Sequence, residues 1–154
     1  MLELITNSSN FSWIFFAVVF FGVVAFLAIL RRIETKRLYE RYTEEDIILL
    51  SFGVNFFGCE TEPGGVKRSS GALVLTKTEL YYRSRYKKYD LTMNGSTIAQ
   101  IDVTDQHKGK PLNQQAIAVY FVNEEGYKDK AVFRIPHPVK WVNLMNTMFV
   151  KKNS

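Results

Sequence analysis

Apolar and polar positions follow two different regimes along this chain. From Phe11 to Leu30 the run FSWIFFAVVFFGVVAFLAIL carries no charge, and Ser12 is its one clearly polar side chain. At about 1.5 Å per residue, twenty positions make a helix of about 30 Å, the thickness of a bilayer's hydrocarbon layer. A buried core helix would keep a polar stripe, and a domain this small cannot cover such a helix on every side. The run therefore predicts a membrane-spanning helix.

The next segment, Arg31 to Tyr42, is made of strong helix formers without Gly or Pro and predicts a basic juxtamembrane helix. After Thr43 the period changes. Apolar, β-branched and aromatic residues predict strands at Ile47 to Phe57, Ala72 to Thr76, Leu80 to Tyr86, Tyr89 to Met93, Ile98 to Val103, Ala116 to Val122 and Lys130 to Ile135. Pro63, Gly64, Gly65 and Gly71 mark a long first connection; loops are expected at Asn94-Gly95, His107 to Asn113 and Asn123 to Gly126. From Pro138 onward, Val139, Trp141, Val142, Met145, Met148 and Phe149 share a helical face, which predicts one amphipathic helix able to cap the strands.

Four regions follow: a short translocated N-terminus (1–10), the spanning helix (11–30), the juxtamembrane helix (31–42) and a domain of about seven antiparallel strands (43–154). Charge sets the expected orientation. Before the helix stands Glu3; after it stand Arg31, Arg32, Lys36, Arg37 and Arg41 against Glu34 and Glu40. Lys and Arg resist translocation, so the N-terminus is expected outside and the domain at the cytoplasmic face of the cell membrane. Trp13, Tyr39 and Tyr42 suit interfacial positions. A cleaved leader fits poorly, because no basic residue precedes the apolar run and no small-x-small site follows it.

Strands closed by one C-terminal helix with a buried Trp, together with the stretch GALVLTKTELYY, resemble bacterial pleckstrin-homology-like (PH-like) and GRAM-like domains. The resemblance covers about Thr43 to Phe149. Its local marks are the Gly71-to-Tyr82 hairpin, Lys108-Gly109-Lys110, and Pro138 with Trp141. It implies a partly open β-barrel plugged at one end by the helix. Such domains include phosphoinositide readers and peptide binders, so the fold does not by itself name a ligand. Lys67 and Arg68 lie in the loop before the first hairpin, whereas inositide readers place their cations around that hairpin.

The chain carries 20 Lys or Arg against 15 Asp or Glu. Setting aside the five cations and three carboxylates before Thr43 leaves fifteen against twelve, a mildly basic domain. Local grouping matters more. If Leu80, Tyr82, Ser84 and Tyr86 face one side of a strand, Tyr81, Arg83, Arg85 and Lys87 face the other, and Lys88 follows. Arg83, Arg85, Lys87 and Lys88 are thus the candidate site for a lipid or a partner. The juxtamembrane cations serve equally as a stop-transfer flank or as contacts to anionic headgroups.

No Walker loop, dinucleotide fingerprint, HExxH, CxxC or GxSxG occurs, so no catalytic residue, cofactor or metal site is expected. Cys59, the single cysteine, is expected to be a structural thiol, and His107 a surface histidine. No nucleic-acid-binding motif appears, and a tethered domain meets acidic lipid continuously. The expected function is a membrane-anchored, non-catalytic module that engages a protein partner or anionic lipid. The alternatives are a structural subunit of a larger membrane complex and, behind it, an enzyme of unknown type.

Overall fold

The computed structural model describes residues 2–86 and 89–151, with side chains from residue 12 onward. The chain forms two compact units, Met1–Tyr42 and Thr43–Ser154.

The first unit is a single helix, α1 (Leu2–Tyr39). Within it, Ser12–Tyr39 is long and apolar enough to cross a membrane, and its most apolar stretch is not buried. The basic segment from Arg31 continues this helix rather than forming a second one. No Gly or Pro stands between Leu30 and Tyr39 to break it. Helical backbone also begins earlier than expected, at Leu2.

The second unit contains, among the described residues, β1 (Ile47–Cys59), β2 (Ser69–Thr76), β3 (Glu79–Ser84), β4 (Asp90–Asn94), β5 (Ile98–His107), β6 (Lys110–Val122) and β7 (Lys128–Arg134). It ends in α2 (Pro138–Met145), prolonged by a wider π-type turn at Asn146–Val150. All neighbours pair antiparallel in the order β4-β3-β2-β1-β7-β6-β5. The sheet bends across its own core, so that Tyr82 of β3 lies 5.6 Å, ring to ring, from Phe133 of β7. Strands β4 and β5 are its two edges, which leaves the barrel open.

Alternation decides which side chains enter. Leu73, Leu75, Leu80, Tyr82, Ile117, Val119 and Phe133 fill the concave side and meet Trp141, Val142, Met145 and Phe149 of the last helix. Val139, expected on that buried face, is instead 55% exposed. At the first turn of α2, next to Pro138, it projects past the edge of the core. A second cluster, Phe57, Ala116, Ala118 and Val132, lies on the convex side under Val66 and Leu112.

Strand limits differ from the sequence-based expectation throughout, and the differences that matter lie at the end of β3 and at the β5–β6 hairpin. β3 stops at Ser84, where Ser84 N–H donates to Tyr89 O (2.9 Å) and closes the turn to β4, while Arg85 N–H to Ser70 O (2.8 Å) carries the pairing with β2 one residue further. The expected loop at His107 to Asn113 is mostly strand. Lys108 (φ 50°) and Gly109 (φ 71°) make a two-residue turn with both φ values positive, the geometry whose twist suits a tight hairpin. Asn113 (φ 58°) then bends β6, and the pairing of β5 is irregular between Thr104 and Gln106.

Candidate functional site

Strand registers sort the loops between the two ends of the barrel. Phe56 pairs with Ser69, Gly71 with Ser84, Cys59 with Ala131 and Val122 with Lys128. The β1–β2 loop (60–68), the β3–β4 turn (85–89) and the β6–β7 turn (123–127) therefore share one end. The other end is closed by the last helix, where the Phe149 ring lies against Gly95 and Gly95 N–H donates to Thr78 O (2.7 Å). The uncapped end is thus the one with loops free to form a site.

A cavity of about 220 Å³ opens there, with Phe56 and Tyr89 as apolar walls and Glu62, Lys67, Arg68 and Ser69 as polar ones. The Phe56 and Tyr89 rings stack at 5.8 Å. Arg68 Nε donates to Asn55 Oδ1 (3.3 Å), which steadies the guanidinium at the rim. Tyr89 donates its hydroxyl to Glu62 Oε1 (3.0 Å), and Tyr82 donates to Ser69 O (3.1 Å). Lys108 reaches across from the β5–β6 turn to Glu62 O (2.6 Å) and Gly64 O (3.4 Å), tying the β1–β2 loop down.

Electrostatics divide this end into a silent floor and a charged rim. Burial, then the Asp129 and Glu62 charges, push the Cys59 thiol up to about 12, so it stays protonated and unreactive at neutral pH. Burial raises the Tyr82 phenol, and burial with the neighbouring Cys59 and the Glu62 carboxylate raises that of Tyr89; both remain neutral donors. The chemistry open to a ligand is charge pairing with Lys67 and Arg68 and hydrogen bonding to Ser69. Glu62 repels an anion from its own side.

Of the sequence-based candidates, Arg83 is the one that lies on a strand, half-buried and paired in register with Asp90. Arg85 lies beyond the end of β3, its guanidinium 5.9 Å from the Tyr86 ring centre. Tyr81, expected on an exposed face with them, is 1% exposed and donates to Asp90 Oδ2 (2.8 Å). Arg85 N–H donates to Ser70 O, which carries the register between β2 and β3 one step past Ser84. Lys87 and Lys88 lie outside the described residues. Arg31, Arg32, Lys36 and Arg37 are exposed on α1, and Arg41 stacks over Tyr42 at 5.3 Å.

Sequence reasoning passed over Lys67 and Arg68 as a functional pair because they precede the first hairpin. The available signal was their place at the end of the loop that returns to β2. His107, expected at the surface, is fully buried. Its place at the end of a strand that bends back over the sheet depends on contacts far away in sequence. Among the described residues no group of three or more His, Cys, Asp or Glu is placed to hold a metal ion.

No protein-family model and no curated protein matches this sequence. Solved structures do match its shape. The C-terminal domain of an unknown protein from Leishmania infantum superposes with a TM-score of 0.51 at 12% identity, covering 75% of this chain and 94% of that one. The N-terminal PH domain of Vps36 does so at 0.50 and 13%, covering 70% and 81%. The fold is PH-like. A chain of the 8S snRNP assembly intermediate matches at 0.50 and 7% identity, covering 71% of this chain and 84% of that chain. Identities this low establish the architecture of the PH-like unit and leave its ligand to the residues themselves.

Proposed function

We propose that this protein is a non-catalytic binding module, held at the cytoplasmic face of a membrane by α1, whose uncapped end engages anionic lipid headgroups. The observation that carries the reading is the joining, in one chain, of an exposed apolar helix of spanning length to a PH-like unit whose open end gathers Lys67, Arg68 and Arg85. Lys87 and Lys88 belong to the same β3–β4 turn by sequence and add to its charge. The kinship with GRAM-like domains belongs to the same reading, as does the N-out, C-in topology.

Tethering does most of the thermodynamic work. A domain on a membrane anchor meets headgroups at high effective concentration, so weak contacts suffice to orient it. Each basic residue near an anionic surface contributes about 1 kcal/mol, and salt screens that attraction. Arg31, Arg32, Lys36, Arg37 and Arg41 would contribute in the same way beside the bilayer.

The test compares the fragment beginning at Thr43, once its thermal melting establishes that it is folded, on neutral and phosphatidylserine-containing vesicles. Two variants accompany it: Lys67→Ala with Arg68→Ala, and alanine at Arg83, Arg85, Lys87 and Lys88. Binding to acidic vesicles is expected to fall in both variants and to weaken with salt. Equal binding by all three proteins overturns the reading. So does absence of vesicle binding combined with stoichiometric crosslinking of the full chain to another membrane protein, which is the outcome for a structural subunit.

A further inference from the structure

His107 ends β5 with a side chain that is 0% exposed. Neither ring nitrogen has a hydrogen-bond partner. Nδ1 lies 3.3 Å from Glu60 Oε2, within ion-pair range yet not aligned as a hydrogen bond. Buried polar groups are nearly always satisfied, so an imidazole with both nitrogens unmatched calls for a reason.

The surroundings supply one. Glu60, in the β1–β2 loop, is already held by Lys130 Nζ of β7 at 2.9 Å. Asp129, beside it on β7, accepts from Thr61 N–H (3.1 Å), Thr61 Oγ1 (2.5 Å) and Lys130 N–H (2.7 Å). Lys108, next in the chain, has its ammonium on Glu62 O and Gly64 O. An imidazolium at position 107 would be a third cation beside Lys108 and Lys130, sharing Glu60 Oε2 with Lys130 Nζ and facing an Asp129 whose oxygens already accept three bonds. Full burial beside two ammonium groups favours the neutral ring over the charged one.

We propose that His107 is a proton-operated latch between the β5–β6 turn and the β1–β2 loop. Neutral, it is the buried seat on which Glu60 to Gly64 close; protonated from solvent, it releases them. Burial is the largest influence lowering its pKa from the ordinary 6.5, with Lys130 and Lys108 adding to it and Glu60 and Asp129 opposing. The closed form thus binds fewer protons than the open form. Closure is complete above about 6.5 and is lost as pH falls from there through the depressed folded value, the opening constant rising by up to about tenfold per pH unit in that window. Because the loop continues to Lys67 and Arg68, release also changes how those cations are presented. That consequence alone rests on the lipid reading.

Amide hydrogen exchange of the full chain in nanodiscs, corrected for the intrinsic pH dependence of exchange, tests the latch without any lipid-binding readout. Between pH 7.5 and pH 5, protection of residues 60–66 and 106–110 is expected to fall selectively in the wild type and to change little in His107→Phe. An equal acid-induced loss in both proteins overturns the latch. A second measurement stands independently of that variant's folding: the imidazole NMR titration of His107 in a His137→Gln background. A midpoint below 6.5 is expected, and a midpoint at or above 6.5 overturns the proposal even if His107→Phe fails to fold.

Discussion

Single residues at the two ends of the barrel carry opposite duties. At the capped end, a Cβ added to Gly95 would run into the Phe149 ring, so the missing side chain is what lets the last turn seat itself. Gly95→Ala is expected to destabilise the PH-like unit by about 1–3 kcal/mol through overpacking. Thermal melting measures it, and Phe149→Leu in the same chain should recover part of the loss. No recovery would mean that the damage comes from the backbone and not from that contact. At the uncapped end, Cys59 is covered and its thiol stays protonated, which makes the native cysteine a poor target for labelling reagents.

Among the elements, α2 with its π-type extension closes the core by unequal contributions from neighbouring positions. Trp141 is 5% exposed, whereas Val139, two residues earlier, is 55% exposed. Trp141→Ala should cost about 3–5 kcal/mol, as large-to-small changes in cores do. Val139→Ala should stay within about 0.5 kcal/mol. Chemical denaturation of the two variants checks the pair, and equal losses would refute the assignment of the buried face. The β5–β6 hairpin shows another element-level rule. Its two-residue turn at Lys108-Gly109 is local chemistry, yet the positive φ at Asn113 aims the hairpin so that Lys108 reaches the β1–β2 loop.

For the whole molecule, the proposed topology follows from charge asymmetry across α1. A Ser8→Cys variant treated with a membrane-impermeant thiol reagent in intact cells is expected to label before lysis. Cys59 needs no removal, because burial and its raised pKa keep it slow to react. Labelling that appears only after lysis would reverse the orientation. The two compact units also make a fragment from Thr43 a natural test of independent folding, since the strands and last helix share one core cluster.

What the sequence determined by itself was whatever depends on near neighbours. An uncharged run of spanning length announces a helix that can cross a bilayer because hydrocarbon leaves backbone groups no partner except their own helix. Period-two alternation places Leu73, Leu75, Leu80 and Tyr82 on one face, and they do share the core. Trp141 and Pro138 mark the closing helix for the same local reason. What only the tertiary structure decided depends on pairs distant in sequence. β3 ends at Ser84, where its N–H meets Tyr89 O across the turn to β4, and Tyr81 is hidden with its hydroxyl on Asp90. His107 is buried because Glu60 and Lys130, each more than twenty positions away, close over it. Lys67 and Arg68 line a cavity because Tyr89 arrives from another turn. Periodicity reports which face a residue takes within its own element; which elements then cover that face is settled by long-range packing, and a single sequence does not display it.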